Sequence, residues 1–223
     1  MVALRRCLSF FGVLICGFHL VPSASAQWSY PAGVYGWYEG GAALVDKAKL
    51  QDFPGEFPAN ESVKFDPGFH FGMAVGHEVT RYVTVELESG FKYNALHSIS
   101  GASDSSAAFY RIPILGNLVL KYPNASRFTP FIGAGAGAHW SIFDAQNVTF
   151  GATTLSDNES TWTFGYQGYA GVSYKFREKM TVGLFYHYSV VDGPSWDFGA
   201  EGGNFKLDSL RTHTVALSFG WYF

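Results

Sequence analysis

An all-β fold is what this sequence predicts: an eight-stranded antiparallel up-and-down transmembrane β-barrel. Three observations predict it. First, at the end of the chain Val215, Leu217, Phe219, Trp221 and Phe223 alternate with smaller or polar residues, Tyr222 excepted. That period of two marks a strand with one oily face. A soluble protein seldom exposes such a row of aromatics on an edge, whereas acyl chains solvate it well. Second, the same alternation recurs in eight stretches of 11 or more residues. Membrane-spanning strands need about 9–11 residues, while strands of ordinary globular domains average about 5–6. Third, the connections between these stretches alternate long and short, the rhythm of outer-membrane barrels.

The elements follow in order. Arg5 and Arg6 precede an apolar run from about Leu8 to Val21, and Ala24-Ser25-Ala26 offers a small-x-small cleavage site. Residues 1–26 therefore read as a secretory signal peptide and 27–223 as the barrel domain. The run falls short of the roughly 20 residues of a spanning helix. Strand one is Tyr35–Val45, followed by a long loop to Asp66. Strand two, Gly68–Glu78, turns over Val79-Thr80 into strand three, Arg81–Asn94. The polar loop Ala95–Ser106 leads to strand four, Ala107–Tyr122, and a short turn enters strand five, Phe128–Phe143. The loop Asp144–Ser160 precedes strand six, Thr161–Phe176, and Arg177-Glu178-Lys179 turns into strand seven, Met180–Val191. A last long loop, Asp192–Leu210, leads to strand eight, Arg211–Phe223.

Within the strands the two faces differ sharply. Strand three sets Val83, Val85, Leu87, Phe91 and Tyr93 against Thr84, Glu86, Glu88, Lys92 and Asn94. Strand six sets Trp162, Phe164, Tyr166, Val172 and Tyr174 against Thr163, Gly165, Gln167, Tyr169 and Ser173. The small and polar set suits the narrow interior of an eight-stranded barrel, so the bulky set faces lipid. Both termini then lie in the periplasm, and the four long loops face outward. Those loops are acidic and the short turns basic, with Arg81, Arg127, Arg177 and Lys179.

Both cysteines, Cys7 and Cys16, lie in the signal, so the mature chain holds no disulfide. Loss of Arg5 and Arg6 from the chain's 15 basic side chains leaves 13 against 18 acidic, net −5. No basic stripe for nucleic acid is present. The sequons at Asn60, Asn124, Asn147 and Asn158 are chance matches in a bacterial export pathway.

The interior faces carry the candidate chemistry. Glu39, Glu86, Glu88, Lys92, Arg111, Lys121 and Lys175 all point inward by parity, and counting from the second long loop sets Glu88 near Arg111. Such charges form either a gated polar channel or a paired plug, and a barrel filled by side chains favours the plug. Gly133, Gly135 and Gly137 alternate within a strand with no helix after them, so they cradle no phosphate; they make room for lumen side chains. Trp37, Tyr38, Trp140, Trp162, Trp221 and Tyr222 read as interfacial girdles. His70, His77, His97, His139 and His213 are scattered without metal-ligand spacing, and no cofactor is expected.

The chain resembles the small outer-membrane β-barrel superfamily that includes the OmpA transmembrane domain, OmpX, OmpW and opacity-type porin-like proteins. The resemblance rests on the terminal Phe223 strand, on Thr129–Gly137 and on Ile112-Pro113-Ile114-Leu115-Gly116-Asn117. It implies outer-membrane residence, no OmpA-type periplasmic domain, and recognition of Val215, Leu217, Phe219, Trp221 and Phe223 by the barrel assembly machinery. His187-Tyr188-Ser189 with Glu201 is also similar to the His-x-Ser and later Glu of outer-membrane lipid A 3-O-deacylases. That likeness implies Ser189 as nucleophile, His187 as base and Glu201 as its orienter, but Val190 replaces that family's Asn. Parity also turns His187 and Ser189 away from lipid. The expectation is a non-enzymatic barrel whose external loops carry a structural or adhesin-like role. Its expected partners are outer-membrane lipid, lipopolysaccharide and a host or neighbouring-cell ligand. An OmpW-like narrow channel for small apolar solutes is the alternative.

Overall fold

The computed structural model describes residues 33–52, 62–100, 102, 104–150, 153–198 and 203–223. Its strands are β1 (Val34–Val45), β2 (Ala48–Asp52), β3 (Ser62–Phe65), β4 (Gly68–Glu78), β5 (Val83–Ile99), β6 (Asp104–Lys121) and β7 (Phe128–Phe150). They continue as β8 (Thr153–Leu155), β9 (Asn158–Arg177), β10 (Met180–Asp192), β11 (Ser195–Asp197), β12 (Asn204–Leu207) and β13 (Ser209–Tyr222). Each long strand pairs antiparallel with its sequence neighbours in the circuit β1-β4-β5-β6-β7-β9-β10-β13. The circuit closes because β13 also pairs with β1, from Tyr35↔Tyr222 to Val45↔Thr212. Closure leaves no open edge, so the backbone polar groups of these strands are satisfied by their neighbours. The expected eight-stranded barrel is what the chain forms.

Side-chain parity decides which way the barrel faces. One bulky residue from each wall strand shows the pattern: Leu44, Phe69, Leu87, Leu118, Ile132, Phe164, Leu184 and Leu217 are 49–69 % exposed. A continuous apolar belt of this kind is the surface that lipid, not water, covers. The opposite parity fills the lumen, and small residues make the fit. A Cβ on Gly133 would enter the Tyr169 ring, and one on Gly135 would meet Asn117 Oδ1. The Thr129–Gly137 stretch is thus thinned to admit side chains from facing strands.

The described parts of the long connections carry more strand than their polar composition predicts. Of the loop Ala95–Ser106, β5 takes residues up to Ile99 and β6 those from Asp104. Of Asp144–Ser160, β7 runs on to Phe150, β8 follows, and β9 starts at Asn158. The reason is pairing: Asp104↔Thr149 prolongs the β6–β7 ladder, and Val63↔Ile99 adds β3 to the end of β5. Strands β3, β2, β12 and β11 then continue as a small antiparallel sheet. Gly203 serves its last hairpin with φ +64°, a left-handed conformation that Gly adopts freely, and its carbonyl accepts the Phe198 N–H at 2.8 Å. Strand β5 starts at Val83 rather than Arg81, because Thr80 Oγ1 accepts the N–H groups of Tyr82 and Val83 and prolongs the turn. At another turn, Asn124 Oδ1 accepts the Ser126 N–H at 2.8 Å and its amide donates to Phe128 O at 2.9 Å. That gives this sequon residue a structural role.

The loop sheet has its own apolar core. Val63, Leu96, Ile99, Phe109, Phe143 and Trp196 are buried together with Phe205, Leu207 and Leu210. The Trp196 ring meets Phe109 edge-on at 5.4 Å, and its Nε1–H donates to Ser141 O at 3.2 Å. Phe109 and Phe143 come from wall strands, whereas Trp196 and Phe205 come from the last long connection. This cluster therefore fastens the loops over one end of the barrel.

Candidate functional site

Alternation along neighbouring strands stacks the lumen side chains in layers from the turn end to the loop end. Nearest the turns, Lys121 Nζ pairs with Glu78 Oε1 at 2.9 Å and lies 4.2 Å from the centre of the Tyr35 ring. Above it Glu86 is saturated: Tyr35 Oη and Trp37 Nε1 (3.2 Å) donate to one carboxylate oxygen, and Tyr169 Oη (2.9 Å) donates to the other. Glu88 follows, accepting from Asn117 Nδ2 at 2.7 Å and Gln167 Nε2 at 2.6 Å. At mid-barrel Glu39 lies between two histidines, with His70 Nε2 at 2.5 Å and His187 Nε2 at 3.1 Å. Lys92 Nζ donates to Ser189 Oγ at 3.3 Å. Arg111 then donates to Thr212 Oγ1 at 2.6 Å and Asn94 Oδ1 at 3.1 Å, just below the aromatic core of the loop sheet.

Glu39, Glu86, Glu88, Lys92 and Arg111 are at most 8 % exposed. An isolated charge so deep in protein costs several kcal/mol, and partners with good geometry are what make it tolerable. Three carboxylates, Glu86, Glu88 and Glu39, lie toward the turn end and Lys92 and Arg111 toward the loop end, each held by hydrogen bonds from side chains across the lumen rather than lining an open passage. Aromatic rings complete the obstruction, since Tyr169 and Phe185 stack on His187 at 5.0 and 5.6 Å.

The expected lumen charges divide into two groups. The five just named are buried together. Lys121 is half-buried at the turn end with Glu78, and Lys175 is exposed there, outside the network. Glu88 does not approach Arg111 as counting predicts; the register sets Lys92 opposite Arg111 and Glu88 opposite Leu115. The strand extends past Asn94, so the count from the loop began at the wrong residue. Trp37 is not an interfacial girdle residue: at 4 % exposure it lies inside, donating to Glu86. Tyr222 likewise turns inward, its hydroxyl donating to Glu78 at 3.3 Å. Tyr38 and Trp221 pair at 5.0 Å, and Trp140 and Trp162 stack at 6.0 Å, on outward parities. At the closing strand, Val215, Leu217, Phe219 and Phe223 are 42–69 % exposed and Trp221 is half-buried.

His187 and Ser189 are each 1 % exposed and face different partners, Glu39 and Lys92. Neither is open to lipid, and Glu201 lies outside the described residues. The histidine pair on Glu39 and the tyrosine contacts of Glu86 were missed by reading the sequence. Parity places His70, His187 and Tyr169 inward, but only the stagger between strands says which carboxylate each one meets. Among the described residues no cluster of three or more His, Cys, Asp or Glu is arranged to hold a metal ion.

A closed barrel with an apolar outer belt and a hydrogen-bonded polar lumen defines an integral outer-membrane β-barrel protein. The family-level match agrees: residues 14–223 fit the model of the outer membrane protein beta-barrel domain, and the chain belongs to that family. Among solved structures it is similar to outer membrane protein OprG from Pseudomonas aeruginosa, with TM-score 0.57 and 15 % identity, covering 85 % of this chain and 96 % of that one. It is similar to Neisserial surface protein A, with TM-score 0.54 and 13 % identity over 85 % of this chain and 97 % of the other. AlkL in lipid bilayers gives TM-score 0.51 and 17 % identity over 89 % and 94 %. At these identities the likeness concerns the fold. Uncharacterized proteins of Brucella abortus, Brucella suis and Brucella melitensis are 26 % identical over 130 aligned residues, 49 % of this chain and 46 % of theirs. The match thus spans a little under half the length of these curated relatives.

Proposed function

We propose that this chain is a closed, non-enzymatic outer-membrane barrel that presents its loop sheet as a structural or adhesin-like surface. The observation that carries this reading is the loop sheet's own apolar core, built on Trp196, Phe143 and Phe205. Loops that only connected strands would need no such core; loops held in one shape keep a recognition surface ready. The saturated lumen supports the same reading, because a solute path would have to break the Glu86, Glu39 and Arg111 contacts in turn. The termini face the periplasm and the loop sheet faces outward, following the long-short rule for such barrels. Delivery is through the barrel assembly machinery, which reads Val215, Leu217, Phe219, Trp221 and Phe223. Exposed loop-end carboxylates such as Asp52 and Asp157 suit divalent-cation bridges to lipopolysaccharide phosphates, beside a ligand on a host or neighbouring cell.

The test combines two measurements on one protein. In planar bilayers the wild type passes no large, stable current; on cells, replacing residues 192–210 by a short turn abolishes adhesion or detergent resistance while the barrel still folds. Steady openings from the wild type would establish the narrow-channel alternative instead. Unchanged adhesion and detergent resistance after loop replacement would overturn the surface role.

A further inference from the structure

At the turn end the lumen widens into a cavity of about 280 Å³. Its wall is mainly apolar and aromatic, with Trp37, Val119, Phe131 and Phe185, beside the hydroxyl residues Thr181 and Ser218; Phe131 and Phe185 are 4.8 Å apart and Trp37 and Phe185 5.4 Å apart. Its inner end is closed by the layer of Glu86 and Tyr169 and by the ring stack on His187. Its mouth lies between the short turns and is edged by Arg81, Lys121 and Lys175, with one carboxylate, Glu78, beside Lys121. The cavity is therefore blind, oily inside and basic at the rim.

The balance of charge selects the occupant. Lys121 is already matched by Glu78, whereas neither Arg81 nor Lys175 makes an ion pair among the described residues; Arg81 meets only the neutral Tyr82, donating to its hydroxyl and lying 4.5 Å from its ring centre. The one carboxylate at the floor, Glu86, has both oxygens covered by Tyr35, Trp37 and Tyr169 donors, so it offers little to a ligand cation. An ammonium head group would meet the like charges of Lys121, Arg81 and Lys175 at the mouth, and Lys121 Nζ already sits over the Tyr35 ring. What remains unmatched is positive charge at the mouth and apolar surface behind it. At roughly 30 Å³ per methylene- or water-sized group, the cavity holds about nine such groups.

We propose that this cavity is a binding site for a free, short amphiphilic carboxylate, with its chain against Phe131, Phe185 and Trp37 and its head group on Lys175 and Arg81. This site is independent of the surface role proposed above. Burial of the chain supplies the affinity, and the rim cations set its direction of entry.

Isothermal titration of the full chain in zwitterionic-lipid nanodiscs, with empty nanodiscs subtracted, tests the site using octanoate as probe. Octanoate binds saturably to the wild type, while acetate and octylammonium bind about tenfold more weakly or not at all. The exposed-site double variant Arg81→Gln/Lys175→Gln weakens octanoate by about tenfold, and Thr181→Trp, which fills the mouth, abolishes it. Heat-modifiable migration on gels verifies that both variants retain the folded barrel. Absence of saturable binding, equal binding of octylammonium, or unaltered binding by the folded variants would each overturn the proposal.

Discussion

Glu86 is the residue whose replacement says most about how the lumen is held. Its carboxylate receives Tyr35 Oη, Trp37 Nε1 and Tyr169 Oη, which come from β1 and β9 across the barrel. Glu86→Leu keeps the volume but leaves these three donors facing hydrocarbon. Each stranded donor costs about 1–3 kcal/mol, offset in part because the buried charge is gone as well. The net expected loss is about 3–5 kcal/mol, as for other broken buried charge contacts. Glu86→Gln is the discriminating partner. Its amide oxygen still accepts from Tyr35 and Trp37, and its NH₂ meets Tyr169 Oη, which turns to accept, so the loss falls to about 1–2 kcal/mol. The assay is urea unfolding in lipid vesicles followed by tryptophan fluorescence, with gel migration as a second readout. Leu and Gln variants with the same midpoint as the wild type would refute the claim that this carboxylate ties the wall strands together.

The remaining predictions concern other layers. His139 is 2 % exposed with both ring nitrogens lacking a hydrogen-bond partner, so His139→Leu raises the unfolding free energy by about 1–3 kcal/mol in the same urea assay. Trp196→Ala removes the centre of the loop core at a cost of about 3–5 kcal/mol, most of it local to the loop sheet. Trypsin then cuts faster at Lys49 and Lys206, on β2 and β12, while heat-modifiable migration persists; equal cutting rates would argue against a cooperative loop core. Leu217 is 69 % exposed on the outer belt near the middle of β13, and Leu217→Lys destabilises the bilayer-inserted barrel by about 2–4 kcal/mol in the urea assay. Deletion of Phe223 lowers the amount of barrel in the outer membrane, measured by fractionation, without preventing refolding of purified protein into detergent.

Much of this molecule was legible before any coordinates. Alternation in Val83–Asn94 and Thr161–Phe176 assigned every wall face correctly there, because a period of two is a local property of the extended backbone. The long connections were not legible in the same way. Ala95–Ser106 and Asp144–Ser160 are polar, and they become strand only where Ile99 finds Val63 and Thr149 finds Asp104. Trp37 was misplaced for a related reason. A tryptophan near a strand end suits a membrane interface, and nothing local announces that Glu86 waits for its N–H on a strand two places away.

By itself, then, the sequence determined the class of fold, the inward and outward faces and the membrane setting, all consequences of residue type at fixed spacing. The tertiary structure alone decided the partners. Barrel stagger brings His70 and His187 to one carboxylate, sets Lys92 rather than Glu88 beside Arg111, and leaves Lys175 outside. It also folds distant loop segments into a cap with its own core. Such contacts depend on how eight strands slide past one another on closure, a quantity that no single strand contains.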